Sequence, residues 1–135
     1  MKKITRHQMR ENAFILIFEK LFREESADDI LELARECEDL TVNDQVEQMF
    51  RGVLDHVVDI DALIEKNLKN WKKERISKVS LAILRLGVYE ILYCADVDND
   101  IVASECVKLA TTFAFDDDVS FVNGVLGSVV RGLQA

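Results

Sequence analysis

The chain has no proline and only five glycines in 135 residues. Long loops and β-turns draw on both, so their scarcity favours helices joined by short connections. Cysteine is sparse too. Cys37, Cys94 and Cys106 are odd in number, widely spaced and form no C-x-x-C pair. That argues against a disulfide framework or a zinc site and points to reduced core residues. No apolar run approaches a membrane span; residues 13–18 are far short of the ~20 needed. Lys2 and Lys3 open the chain, but Arg10 and Glu11 precede any apolar core and no small-residue cleavage site follows. A secretory signal is therefore not expected, and a cytoplasmic protein with no membrane partner is. Hydrophobic content of 49% and charged content of 31% exclude wholesale disorder. The length fits one domain, 1–135, able to bury its own core.

Periodicity predicts about seven helices and no strands, an all-α fold around a central buried helix. Thr5 and Gln8 match a capping box, and Phe14, Ile17, Phe18 and Leu21 then form one stripe. Ser26 suggests a second helix with Ile30, Leu33, Ala34 and Cys37 inward. Thr41 or Asn43 opens a third, Asp59 or Asp61 a fourth, and Ser77 or Ser80 a fifth. The fifth is apolar around most of its circumference, as a helix at the centre of a bundle must be. Gly87 lies inside it, which predicts close helix packing. Asp98 or Asn99 opens a sixth helix, carrying Val102, Cys106, Leu109, Ala110 and Phe113. Asp116, Asp117 and Asp118 open a seventh, where the helix dipole favours acids.

The net charge of −8 hides strong segregation. Residues 1–23 carry six bases against two acids, and residues 66–88 seven bases against one. Residues 24–65 carry a net −12 and residues 89–135 a net −6. An acidic protein is a poor non-specific polyanion binder, yet two separated basic blocks can fold into one local patch. The expectation is that Arg6, Arg10, Arg85 and part of 69–78 meet on one surface. Lys2, Lys3, Arg6, His7 and Arg10 crowd the start of the first helix, where cations are disfavoured by the dipole. Free backbone N–H groups and cations together would welcome an external anion such as phosphate.

Phosphate-loop, dinucleotide, zinc-protease and nucleophile-elbow signatures are all absent. His56 sits among Val53, Val57 and Val58 and reads as a helix-face or core histidine, not a base or ligand. No catalytic residue, metal or cofactor is expected, so the chain reads as a non-enzyme.

Residues 71–75 and the run Ala82-Ile83-Leu84-Arg85-Leu86-Gly87-Val88-Tyr89-Glu90-Ile91-Leu92-Tyr93 resemble the central helix of the NusB family of transcription antitermination factors. Ser104-Glu105-Cys106-Val107-Lys108-Leu109-Ala110 resembles that family's next helix. Phe121-Val122-Asn123-Gly124-Val125-Leu126 resembles its last. The resemblance implies an all-helical RNA-binding domain of two small helical subdomains, approximately 1–58 and 59–135. It implies recognition of a boxA-like single-stranded motif in ribosomal RNA leader transcripts. The expected partners are a small ribosomal protein acting as NusE and the RNA polymerase elongation complex.

By residue type, the resemblance implies an RNA surface at Lys2, Lys3, Arg6, His7, Arg10, Arg75, Lys78, Arg85, Asp117, Ser120, Phe121 and Asn123. Arg6, Arg10 and Arg85 would offer forked hydrogen bonds, Phe121 a stacking face and Asn123 a base-edge contact. Arg85 has an internal alternative, an ion pair with Glu90 or another acid, and Trp71 reads as a core or hinge anchor. His7, Ser104 and Ser120 depart from the residues the family often carries, and the 96–100 loop is acidic. These changes remove positive charge from the RNA side. The alternative function is a protein-only helical interaction module, as in the NusB-like domain of ribosomal RNA methyltransferases, with the acidic 24–65 block meeting a basic partner.

Overall fold

The computed structural model describes residues 3–69 and 73–134, and within them every regular element is helical. Local capping explains most starts. Helix α1 (Arg6–Lys20) opens on a reciprocal box: Gln8 N–H donates to Thr5 Oγ1 at 3.1 Å, and Thr5 N–H donates to Gln8 Oε1 at 2.8 Å. Ser26 caps α2 (Ala27–Arg35) through Asp29 N–H at 3.2 Å. Asn43 caps α3 (Asp44–Asp55) through Val46 N–H at 2.9 Å. Each such cap is worth about 1 kcal/mol.

Helix α4 (Val57–Lys66) starts earlier than Asp59 or Asp61. His56 alone separates it from α3, ending one helix and beginning the next, so no connecting loop marks the boundary. After a single 3₁₀ turn (Lys73–Arg75), Ser77 caps α5 (Lys78–Tyr93). Helices α6 (Asn99–Phe113) and α7 (Asp116–Gln134) complete the chain.

Helix α5 is the centre. Ala82, Ile83, Leu84, Leu86 and Val88 are fully buried, and α1, α3, α4, α6 and α7 all pack against it. Each fully buried aliphatic side chain contributes about 1.5–3 kcal/mol. Gly87 does what its position predicts: a Cβ there would lie 2.8 Å from Cys106 Sγ and 3.3 Å from Leu126. Gly52 on α3 takes the ring of Tyr89 in the same way, with a Cβ only 2.4 Å from the ring edge. Helix α1 runs antiparallel to α5, because Arg10 meets Glu90 while Phe22, just past the end of α1, meets Lys78.

Several expected core positions are corrected. Leu33 is 52% exposed and Leu31 takes its place inside, since α2 packs chiefly against α1, with Arg35 and Asp28 held to α3 by ion pairs, and buries a narrow face. Of the cysteines, only Cys106 is buried; Cys94 is half-buried and Cys37 exposed, and all three are free. Phe113 is part-exposed, although its ring packs on Phe14 at 5.0 Å. His56 fits the helix-face reading, its ring stacked on Tyr93 with centroids 4.0 Å apart. Trp71 lies outside the described residues.

Candidate nucleic-acid interface

The amino-terminal cations do not meet those of the 69–78 segment, although the end of α1 does reach the start of α5, where Phe22 lies against Lys78. Lys78 and Glu90 are twelve residues apart on α5, about 18 Å along its axis. Arg6 and Arg10 belong to the Glu90 end; Arg75 and Lys78 belong to the other. The expectation of one continuous patch is therefore wrong, because antiparallel packing of α1 on α5 carries the amino-terminal cations away from the 69–78 segment.

Two of the expected RNA contacts are spent inside the protein. Arg10 is only 3% exposed. Its Nε donates to both Glu90 oxygens at 3.1 and 2.9 Å, and its Nη2 donates to Oε1 at 2.9 Å. Burial works against the charge, but the hydrogen bonds and field of Glu90 outweigh it and raise the guanidinium above its ordinary value. Arg85 forks onto Asp61 of α4, Nε to Oδ1 at 2.9 Å and Nη2 to Oδ2 at 2.8 Å, with both side chains about 15% exposed or less. Arg85 thus takes the internal alternative, with Asp61 rather than Glu90. Neither fork is free to grip a phosphate, so Arg10 and Arg85 leave the candidate set.

At the amino end, Lys3 and Arg6 remain exposed, and Arg6 has no acidic partner among the described residues. Arg6 edges a groove of about 210 Å³ whose walls include Met9, Met49, Tyr89 and Asp96. His7 is half-buried and its Nδ1 lies 2.6 Å from Glu105 Oε2, which fixes its ring against α6. Burial pushes the Glu105 carboxyl up, but hydrogen bonds from His7 and Lys108 prevail and hold it below its ordinary value. Lys2 lies outside the described residues.

At the other end, α5 and α7 begin side by side. Asp118 Oδ1 accepts from the hydroxyls of Ser77 at 3.0 Å and Ser80 at 2.9 Å, while Oδ2 accepts from Phe115 N–H at 3.2 Å. Around this junction sit Arg75, Ser77, Asp117, Asp118 and Phe121, lining a groove of about 290 Å³. Phe121 is half-buried and also walls a neighbouring groove with Lys69, Ser120 and Arg131. Asp117, Ser120 and Asn123 are exposed. Lys78 holds its ammonium 5.7 Å from the centre of the Phe22 ring.

Reading the sequence missed the aromatic run here. Phe14, Phe18 and Phe22 follow one another at four-residue spacing, with ring centres 6.1 and 5.0 Å apart. Phe22 is 60% and Phe115 83% exposed. The spacing was visible, but Phe22 lies beyond the helix and its exposure was not.

Among the described residues no cluster of His, Cys, Asp and Glu could hold a metal, and no helix is long and apolar enough to cross a membrane. Burial pushes the Cys106 and Cys94 thiols up, away from the reactive thiolate. Among the described residues, fold and surface together define an all-helical domain with cations and aromatics at its helix ends.

The relationships to known proteins name the family. The NusB family model matches residues 7–131. The transcription antitermination protein NusB of Clostridium novyi is 34% identical over 132 residues, covering 95% of this chain and 99% of that protein. A crystal structure of the antitermination factors NusB and NusE in complex with dsRNA superposes with a TM-score of 0.83 at 26% identity, covering 94% and 96% of the two chains. A structure of T. maritima NusB gives 0.82 at 27% identity, covering 96% and 93%. This chain belongs to the NusB family of transcription antitermination proteins, which are not enzymes.

Proposed function

We propose that this chain recognises a boxA-like single-stranded RNA in ribosomal RNA leader transcripts together with a small ribosomal protein acting as NusE. In this reading it works in the cytoplasm, and the assembled complex joins the RNA polymerase elongation complex. The observation that carries the reading is the close fold match, over nearly the whole chain, to a NusB solved with NusE and dsRNA; the single-stranded boxA form of the ligand comes from the family resemblance. The RNA-facing set becomes Lys3, Arg6 and His7 at one end of α5, and Arg75, Lys78, Asp117, Ser120, Phe121 and Asn123 at the other. Exposed Phe22 and Phe115 beside the second group suit a protein partner that shares the RNA. The division into subdomains near residue 58 belongs to the same reading, supported by the packing of α1 on both α2 and α3.

A mobility shift with boxA-type RNA, with and without the ribosomal partner across salt concentrations, tests it. Arg6→Ala should flatten the salt dependence by about 0.7 in log–log slope, the share of one single-strand phosphate contact. Partner binding with no RNA requirement and no RNA affinity would instead favour the protein-only module.

A further inference from the structure

Among the described residues, grooves beside Arg6, Arg75 and Arg131 differ in charge. The groove beside Arg6 includes Glu90 and Asp96 in its walls, and the groove beside Arg75 includes Asp117 and Asp118. The third, about 280 Å³, is lined by Lys69, Arg131, Ser120 and Phe121 among others, and by no carboxylate among the described residues. Lys69 and Arg131 are both exposed, and neither forms an ion pair among the described residues. Arg131 folds back along α7, since its Nη1 lies 3.2 Å from where a Cβ on Gly127 would stand. Its side chain therefore runs back along the helix instead of trailing off its end, and Arg131 forms part of the groove wall. The floor is open at Gly124, where an added Cβ would meet nothing within 4 Å.

On a chain of net charge −8, a groove with two unpaired cations and no acid is where a polyanion meets least repulsion. We infer that the Lys69–Arg131 groove is a phosphodiester subsite for single-stranded RNA, continuing the strand past Phe121 from the Arg75 groove. The two grooves share Phe121 as a common wall. Cations alternating with an aromatic wall are the arrangement that tracks a single strand. Ser120 adds a neutral hydroxyl donor at the rim. This inference rests on the RNA-binding reading above and adds contacts that reading does not contain.

The test titrates boxA-type RNA against the full chain with its ribosomal partner present. It compares the unaltered chain with a Lys69→Gln, Arg131→Gln double variant and with Gly124→Gln. The double variant should show a salt slope shallower by about 1.4, as two single-strand phosphate contacts require. Gly124→Gln should fill the groove and weaken binding roughly tenfold, the loss of about one charged hydrogen bond. Its melting temperature should not fall, because the added Cβ meets nothing. Unaltered affinity and slope in both variants would overturn the subsite while leaving the RNA reading intact. So would a loss traced to binding of the ribosomal protein alone, measured without RNA. If the unaltered complex binds no boxA RNA at all, both fall together.

Discussion

Arg10 and Arg85 make the same bidentate pair with a carboxylate, yet in different solvents. Arg10–Glu90 joins α1 to the last turns of α5, its side chains 4% and 1% exposed. Arg85–Asp61 joins the middle of α5 to α4, its side chains 15% and 13% exposed. The first pair has given up nearly all its water, so each charge depends wholly on the other. The second keeps a wet edge that can solvate whichever charge is left behind. In both places the Nε and Nη2 edge of the guanidinium is taken up by the carboxylate. What separates the two is the cost of breaking them.

The largest effect should come from the sealed pair. Glu90→Ala strands the Arg10 guanidinium inside and should cost about 3–5 kcal/mol, read from the urea midpoint. Replacing Arg10 and Glu90 together with leucine should recover most of that loss; a double variant as unstable as the single one would mean that packing, not charge, is responsible. Arg85→Ala should cost less, about 1–2 kcal/mol, because water reaches Asp61. Its RNA affinity should match the unaltered chain. A specific loss of RNA binding without loss of stability would return Arg85 to the interface. Arg6→Ala is the converse case, shifting stability by no more than about 0.5 kcal/mol while altering the salt slope.

The smallest effect concerns Glu105. The folded protein holds its proton less tightly than the unfolded chain does, because His7 and Lys108 hydrogen-bond the carboxylate. Its contribution to stability is therefore complete above the ordinary value of 4.5 and drains away as pH falls through the lower folded value. His7→Ala should lower stability slightly at pH 7, where the contribution is complete, and shrink the further loss below pH 5, so that melts of the two proteins converge in acid. An identical acid limb in both proteins would remove this link.

The two arginine pairs also mark where reading the sequence succeeds. Caps at Thr5, Ser26, Asn43 and Ser77 were legible because each acts within three residues. The central place of α5 was legible from its apolar circumference. The start of α4 was not, since His56 serves both helices and leaves no turn residues to read. Arg10 shares a helical face with Ala13, Phe14 and Ile17, a clue that it points inward; its i, i+4 spacing from Arg6 suggested the opposite. Nothing local reveals that Asp61 waits 24 residues from Arg85. The Lys69–Arg131 groove was equally hidden, because its cations come from blocks of opposite average charge.

Asp118 has a consequence for motion. One carboxylate closes the first turns of α5 and α7 at once, through Ser77, Ser80 and Phe115. Fraying of either turn breaks hydrogen bonds that also hold the other, so Asp118→Ala should loosen both helix beginnings together, read as faster amide exchange in the first turns of α5 and α7.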